Sequence, residues 1–437
     1  MLSPPVLAII VVICLLILIA LRVPLAIALG SLGFFGLVYV LGWDSTIDSL
    51  KMYPLMKIAS WSLLAVPLFV MMGNFAAAAG ITENAYALAQ RWTGKRLPGS
   101  LAIATIGTGA MFASCSGSSP AMVGAMGVVC LPEMLRYGYD KRLASGATCC
   151  GALLGPMIPP SIAFVIYGIM TETSIGRLLI AGIIPGILTA LVFITGIIIW
   201  VKMNPRIAPK AASGITSEKR INVAKAIGPI LLLALIIMGG IYSGVFTATE
   251  AAGIGAFSAL VLGLIRGRKN LPAIGRAISE TTGSTSMIFL LLIGSTFLSF
   301  FFVMSGITTW FVEFAVALPV SRTIVLILIL AMYVALGMVV DSISMMLITL
   351  PVVFPAIVAL GYNPIWFGVL IVKLNEIALI TPPVGMNVYI LKAVAPPEIS
   401  LGDIFYGSFA FLAMEIVTLA LLVALPQLSL FLPSLMK

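Results

Sequence analysis

The sequence predicts an all-α polytopic membrane protein with an inverted repeat, in which each copy contains a re-entrant helical hairpin and a broken transmembrane helix. The first observation is composition, since 61% of the 437 residues are hydrophobic and only 9% are charged. The second is a mean hydropathy of +1.19, with apolar runs of helical length along the whole chain. The third is that polar breaks interrupt four of these runs in a pattern that repeats once.

The apolar runs justify the helical elements in order, because about 20 mostly apolar residues cross a hydrocarbon core about 30 Å thick. The first run lacks a strong basic region before it and leads directly into the second, so we expect a retained helix and not a cleaved signal peptide. Twelve such runs occur, at 4–21, 24–41, 61–80, 100–130, 145–170, 178–201, 226–243, 246–265, 284–304, 323–357, 364–394 and 404–432.

Residues that support metal or imidazole chemistry are scarce in this chain. It has no histidine, which excludes an imidazole base, proton relay or metal ligand. Its five cysteines lie in apolar runs at spacings that match no metal motif or disulfide framework. We therefore expect no organic cofactor and no transition metal.

The net charge of +9 follows the positive-inside rule and does not indicate nucleic-acid binding. Eighteen Lys and Arg fall in loops assigned to the cytoplasm: Arg22, 91–96, 136–142, 202–225, 266–276 and Lys392. Five fall on the opposite side, and Lys373 lies inside a span. This orientation predicts that the N- and C-termini lie on the side opposite the cytoplasm.

The same orientation predicts two re-entrant hairpins. The run 100–130 begins and ends beside cytoplasmic loops, so it must turn back within the membrane near "SCSGSSPA" at 114–121. The run 323–357 begins and ends on the outer side, and "VVDSIS" at 339–344 lies near its middle. Hairpins of opposite orientation are typical of inverted-repeat transporters with sites at the bilayer midplane.

An ungapped shift of 223 residues relates the two hairpin regions. Matches of proline and glycine at a single offset are less expected by chance than matches of apolar residues. The shift also places Ser118 on Asp341. The other matched pairs are Pro132 with Pro355, Gly138 with Gly361, Tyr139 with Tyr362, Pro159 with Pro382, and Pro160 with Pro383.

Each repeat combines a hairpin tip with a proline-broken helix, "GPMIPPS" at 155–161 or "TPPVGMN" at 381–387. Prolines remove backbone N–H donors, and irregular backbone at membrane depth is tolerated only against protein or a watery cavity. Carbonyl and hydroxyl oxygens at such breaks suit a hard cation such as sodium, so each pair could hold one ion. The alternative for the serine stretch is close packing of small residues between helices.

Acidic residues within the spans are the other candidates for function. Asp341 at membrane depth needs a cavity or a partner, either a sodium ion or, in a proton-driven carrier, a proton of its own. The spacing of Lys373 and Glu376 predicts that they pair on one helix face. Glu250 is expected to cap the helix that follows the outer loop. The role of Glu415 stays open.

The quoted motifs together resemble the large membrane subunit of tripartite ATP-independent periplasmic (TRAP) transporters. The matching stretches run from the first hairpin almost to the C-terminus: "SCSGSSPAMVGAMG", "GPMIPPSI", "GGIYSGVFTATEAAG", "GMVVDSISMMLITLP" and "NPIWFGVL…NEIALITPPVGMN". The resemblance implies a sodium-driven elevator-type importer of an organic acid, such as a C4-dicarboxylate, sialic acid or another sugar acid. It also implies two protein partners, a small four-helix membrane subunit and a periplasmic binding protein that delivers the substrate.

The resemblance further implies site residues, with sodium ions as the bound cations. The first sodium site would comprise Ser116, Ser118, Gly155, Ile158 and Pro160. The second would comprise Gly337, Asp341, Thr381, Val384 and Met386. Substrate would lie between the tips near Ser119, Ser161, Asp341 and Asn387. The implied division is scaffold at 1–97, transport repeat at 98–175, scaffold at 176–283, transport repeat at 284–400 and a C-terminal helix at 401–437.

Three other function classes share some of these features. A self-sufficient sodium- or proton-coupled carboxylate carrier would share the two-hairpin plan without a binding protein. An intramembrane aspartyl protease would need a second acid beside Asp341, whereas the repeat counterpart is Ser118. A channel fits less well, because paired broken helices of opposite orientation are typical of alternating access. We therefore predict a transporter and not an enzyme.

Overall fold

A computed structural model describes residues 2–80, 85–90, 97–209, 223–266 and 271–436. Every regular element in these ranges is helical, and none of them contains a strand. The predicted all-α class is therefore confirmed. The basic segments 91–96, 210–222 and 267–270, with both terminal residues, lie outside the described residues. The predicted orientation of the termini stays a prediction.

Two helical hairpins form where the polar breaks predict them. Each is followed by a helix that is interrupted at its proline pair, and both Pro–Pro bonds, 159–160 and 382–383, are cis. The first repeat comprises α6 (Ser100–Ser116), α7 (Ser119–Arg136), α8 (Lys141–Gly151) and α9 (Ile162–Thr171). The second comprises α16 (Arg322–Gly337), α17 (Ser342–Ala359), α18 (Pro364–Ala378) and α19 (Met386–Val394).

The helix boundaries reproduce the sequence repeat. The first residues of α7 and α17 are 223 positions apart, and so are their last residues. The same separation joins the first residues of α8 and α18 and the last residues of α9 and α19. The offset seen in prolines and glycines is therefore an offset between whole structural units.

The remaining helices surround these two units. The N-terminal group is α1 (Pro4–Ala20), α2 (Leu25–Leu41), α3 (Trp43–Ile58), α4 (Ala65–Ala78) and α5 (described over 85–90). The middle group is α10 (Ile175–Ala181), α11 (Ile183–Met203), α12 (Val223–Tyr242), α13 (Ala248–Arg266), α14 (Leu271–Met304) and α15 (Ile307–Ala317). The chain ends with α20 (Leu401–Ala424) and α21 (Gln427–Ser434), and short 3₁₀ turns occupy Trp61–Leu64, Ala152–Leu154 and Pro205–Ile207.

Six described segments are long and apolar enough to cross a membrane, fewer than the twelve predicted runs. A hairpin or a broken helix divides three of the other runs, at 100–130, 145–170 and 364–394, and α1 and α2 have only 17 residues each. The six are Trp61–Ala78, Ile175–Met203, Ala248–Ile265, Leu271–Met304, Ser342–Ala359 and Leu401–Ala424.

Three helical features differ from the hydropathy reading. Helix α3 carries an exposed ion pair between Asp48 and Lys51, 2.7 Å apart. A search for apolar runs does not detect this helix because it contains charged residues. Helix α15 has 11 residues, too few for that search. Helix α14 has 34 residues and crosses position 283/284, where the predicted scaffold and transport repeat meet.

Packing links the hairpins to α11 and α20. Helix α20 lies along α8 and also contacts α18, α19 and α11, while α11 contacts α6. Helix α2 packs on α14, and α4 packs on both α13 and α14. One core cluster extends through both hairpins and broken helices, and a smaller one joins α1, α2 and α14. The predicted division into static and moving parts stays a prediction.

One predicted cap is confirmed on α13. The Glu250 carboxylate accepts hydrogen bonds from the Thr247 backbone N–H at 2.8 Å and from the Thr247 hydroxyl at 2.9 Å. The Thr247 hydroxyl in turn accepts from the Glu250 backbone N–H at 3.3 Å. This reciprocal arrangement satisfies donors that a helix start leaves free.

Candidate functional site

The tip of the first hairpin is a two-residue link between two helices. Helix α6 ends at Ser116, Gly117 adopts a left-handed conformation with φ +62°, and Ser118 is extended at the start of α7. A Cβ at Gly117 would lie 2.6 Å from the carbonyl oxygen of Pro160. Glycine is needed here both for the backbone conformation and for the close approach to the broken helix.

This tip contacts the proline break of its own repeat, where the first sodium site is predicted. A Cβ at Gly155 would lie 3.5 Å from the carbonyl carbon of Ser118, and Pro160 lies against Gly117. The Ser116 side chain is buried, and Ser116 Oγ is 3.4 Å from the Ser118 carbonyl oxygen. The Ile158 side chain packs towards Gly186 of α11, so this residue could offer the tip only backbone atoms.

We expect Gly117→Ala to reduce transport at least about tenfold and to lower thermal stability modestly. A left-handed alanine costs about 1–2 kcal/mol, and its methyl group would push the tip away from Pro160. The matched control is Gly124→Ala in α7, where an added Cβ meets nothing within 4 Å. Uptake into proteoliposomes measures the effect, and equal uptake by the two variants would contradict it.

The tip of the second hairpin is built around an acidic cap. Asp341 is half-buried and precedes α17, where its Oδ1 accepts a hydrogen bond from the Ser344 backbone N–H at 3.1 Å. Gly337, the last residue of α16, contacts Ala378 closely enough to exclude a side chain at that position. Asn375 Nδ2 donates to the Ser342 carbonyl oxygen at 3.3 Å. The second tip therefore rests on α18.

The second proline break is more open than the first. Thr381 is buried, and its hydroxyl donates to the Ile377 carbonyl oxygen at 2.6 Å. The Val384 and Met386 residues are 42% and 39% exposed. Gly337 and Asp341 lie at the hairpin tip. The five residues predicted for the second sodium site therefore include buried residues and residues of an exposed loop.

The residues predicted to bind substrate divide into two kinds. Ser161 and Asp341 act as helix caps, and Ser161 Oγ accepts from the Phe164 backbone N–H at 3.3 Å. Ser119 and Asn387 are fully buried, and neither the Ser119 hydroxyl nor either Asn387 amide atom has a hydrogen-bond partner within the described part of the chain. A buried polar group without a partner costs about 1–3 kcal/mol, so these atoms mark places for a ligand, ion or water.

Sequence reasoning missed several residues that share this property. Buried oxygens without a described partner also occur on Asn375, Glu376 and two serines of the second tip, Ser342 and Ser344. Asn375 and Glu376 lie in the last turn of α18, just before the second break. Two adjacent polar residues in the apolar stretch "KLNEIALITPP" are the sequence feature that could have identified them. Residues from both repeats thus face the interior with unused polar atoms.

The predicted pairing of Lys373 with Glu376 is wrong. Lys373 forms its ion pair with Glu415 of α20 and donates a hydrogen bond to the Thr189 hydroxyl of α11 at 2.8 Å. Spacing along one helix could not reveal a partner that α20 brings from 42 residues away. Glu415, whose role was open, is therefore the counter-ion of a buried lysine.

Potential ligands for metals other than sodium are dispersed. Among the described residues, no three His, Cys, Asp or Glu side chains lie close enough together to hold a metal ion. The five cysteines are free thiols, four of them buried. The oxygens available at the two tips are therefore mostly hydroxyl, amide and carbonyl oxygens, with Asp341 as the charged exception.

A family model described as "Tripartite ATP-independent periplasmic transporter, DctM component" matches residues 12–428, nearly the whole chain. The chain belongs to the DctM family. It is therefore the large membrane subunit of a TRAP transporter and not an enzyme. The resemblance predicted from the tip and break motifs is confirmed.

Curated relatives of this DctM-family chain carry different substrate names. It is 32% identical to the C4-dicarboxylate TRAP transporter large permease DctM of Pseudomonas aeruginosa, over 92% of this chain and 94% of the relative. It is 31% identical to the sialic acid large permease SiaM of Vibrio cholerae, over 93% and 94%. It is 31% identical to the ectoine large permease TeaC of Halomonas elongata, over 94% and 95%.

A solved structure shares the fold of the DctM-family chain. The YdaH transporter of Alcanivorax borkumensis superposes with a TM-score of 0.65 over 88% of this chain and 89% of that one, at 15% identity. This likeness concerns the fold alone.

Proposed function

We propose that this TRAP subunit imports an organic acid together with sodium ions, and that the acid binds between the two hairpin tips. The observation that carries the proposal is the set of buried polar atoms without partners at both tips. Ser119 and Asn387 come from different repeats, and both are fully buried. Hydroxyl and amide groups of this kind bind the carboxylate and hydroxyl groups of organic acids. The names of the curated relatives support this substrate class.

The sodium sites in the proposal are formed by each hairpin tip with the proline break of its own repeat. In the first, Gly117 and Ser118 lie against the segment 155–160, and Ser116 Oγ is 3.4 Å from the Ser118 carbonyl oxygen. In the second, we propose that Asp341 supplies a carboxylate and that the break supplies the hydroxyl and backbone oxygens of Thr381 and its neighbours. Oxygen-rich helix breaks are the usual cation sites of secondary transporters. Sodium binding would order each tip before the acid binds, which couples the two ligands positively.

The proposed mechanism is an elevator movement with protein partners. Both tips and both broken helices share one core, which supports rigid-body transport of the site across the membrane. Membership of the family implies a small membrane subunit and a periplasmic binding protein as partners. We propose that the binding protein delivers the acid at the outer face of the bacterial inner membrane.

The test is uptake of a panel of organic acids into proteoliposomes that contain the chain, its small subunit and its binding protein. We expect uptake to require an inward sodium gradient. Ser118→Ala and Asp341→Asn should each raise the sodium concentration for half-maximal uptake about tenfold or more, since a lost charged or ionic contact costs about 1.5–3 kcal/mol. Asp48→Asn on the exposed face of α3 is the control.

Two results would overturn the proposal. Uptake that follows a proton gradient and ignores sodium would remove the two cation sites. Sodium-driven uptake by the chain alone would place it with self-sufficient carriers that need no binding protein.

A further inference from the structure

Glu376 is a buried acid that the proposed transport mechanism does not use. It lies in the last turn of α18, is 2% exposed, and has one carboxylate oxygen that is buried without a hydrogen-bond partner. Its neighbour across the repeat boundary is Ser119, the first residue of α7, whose fully buried hydroxyl also lacks a partner. The two groups lie beside each other without meeting hydrogen-bond geometry.

The charges around Glu376 do not balance. The charged side chains that face it are Lys373 of α18 and Glu415 of α20. The Lys373 ammonium already pairs with Glu415 and donates to Thr189. Two carboxylates therefore share one ammonium in an interior where an unpaired charge is very costly. One further positive charge is needed.

Other titratable groups on helices packed against α18 are engaged elsewhere. The Tyr167 hydroxyl of α9 donates to the Pro364 carbonyl oxygen at 2.7 Å. The Tyr333 hydroxyl of α16 accepts from the Thr349 hydroxyl at 2.6 Å. Asp341 caps α17, and Arg177 of α10 is exposed. None of these groups supplies the missing charge.

The missing charge could be a sodium ion or a proton, and the surroundings favour the proton. Hard metal cations take about six or more oxygen ligands, whereas the oxygens without a hydrogen-bond partner on Glu376 and on the groups that face it, Ser119 and Glu415, are fewer than that. Glu376 lines none of four well-formed cavities in the described chain. A proton needs neither a cavity nor further ligands.

We propose that Glu376 is a proton-binding site and that its neutral carboxyl group donates a hydrogen bond to the Ser119 hydroxyl. The proton comes from a hydronium ion: its O–H bond breaks as the O–H bond of the Glu376 carboxyl group forms, and a water molecule is left. The hydrogen bond would join the broken helix of the second repeat to the first hairpin. Because it needs the bound proton, the link is present at low pH and is lost as the pH rises and Glu376 ionises.

The link has a functional consequence that rests on the proposed function, since Ser119 is proposed to contact the substrate. Raising the pH would break the link and weaken substrate binding at the first tip. Glutamine keeps the shape and the donor of the neutral acid but cannot ionise. Glu376→Gln should therefore keep uptake and lose its decline at high pH, whereas Glu376→Ala should lose uptake throughout.

The test is infrared difference spectroscopy of the full chain with its small subunit in lipid, recorded during a pH titration in water and in heavy water. We expect the absorption of a protonated carboxyl group at neutral pH, with a shift on deuteration. Glu376→Gln should remove it, and Ser119→Ala should keep it at a changed frequency because the hydrogen bond is lost. Glu398→Gln, at an exposed position, is the matched control and should leave it unchanged.

Several outcomes would overturn this proposal while the proposed transport function stands. The band could be absent at neutral pH, or it could persist in Glu376→Gln. Sodium titration at constant pH that abolishes the band would assign the site to the cation. Because the spectrum needs no transport, a failure of sodium-driven uptake would be seen separately, in the proteoliposome assay.

Discussion

Replacing Glu415 with leucine is expected to destabilise the protein by about 3–5 kcal/mol, because it removes the carboxylate that forms the buried ion pair with the Lys373 ammonium. Lys373 and Glu415 are essentially inaccessible to solvent. Their ion pair links α18 to α20. Thr189 satisfies one further donor of Lys373 but carries no charge. The variant should unfold at a clearly lower temperature in detergent.

The double variant Lys373→Met with Glu415→Leu tests whether the pair itself is needed. Removing both charges eliminates the uncompensated group, and buried ion pairs replaced by apolar residues of similar volume are often neutral or stabilising. We expect most of the lost stability to return. Glu398→Gln at an exposed site controls for loss of a carboxylate. A double variant as unstable as the single one would show that Glu415 acts through contacts other than the pair.

Placing a side chain at Gly407 is expected to separate α20 from α8 and to destabilise the protein by about 1–3 kcal/mol for alanine, and more for valine. A Cβ at Gly407 would overlap the carbonyl oxygen of Arg142, and a Cβ at Gly146 would lie 2.6 Å from the Gly407 carbonyl oxygen. Backbone atoms cannot move aside as a flexible side chain can. Small residues that allow such close approach are typical of helix contacts in membranes.

The matched control for Gly407→Ala lies on the same helix. At Gly402 an added Cβ meets only the Ser400 hydroxyl, at 3.7 Å, so Gly402→Ala should be neutral or slightly stabilising. Thermal unfolding of both variants measures the difference. Equal melting temperatures would contradict the close packing of α8 and α20.

Much of the architecture was predictable because it depends on local sequence. The hairpin tips and helix breaks fall at glycine, serine and proline residues whose backbone preferences end helices. The 223-residue offset predicted from prolines and glycines is reproduced by helix boundaries. Helix α3 and helix α15 were missed because a hydropathy search detects long apolar runs and not short or charged helices.

The candidate site was predictable only in part. Ser119 and Asn387 were predicted from the resemblance, and both have buried polar atoms without described partners. Glu376 was assigned to the wrong partner, because a spacing of three along a helix suggested Lys373. The true partner of Lys373 comes from α20, and no local pattern encodes a contact between helices distant in sequence.

The sequence by itself determined the membrane class, the two repeats and their breaks, because hydropathy and backbone preference act over neighbouring residues. Only the tertiary structure decided which buried groups meet, since packing of separate helices sets those distances. Lys373 is neutralised from α20, the second tip rests on α18, and Glu376 faces Ser119 across the repeat boundary. The free energy of a charged group in an apolar interior depends on the groups that surround it, and the packing of the helices decides which groups those are.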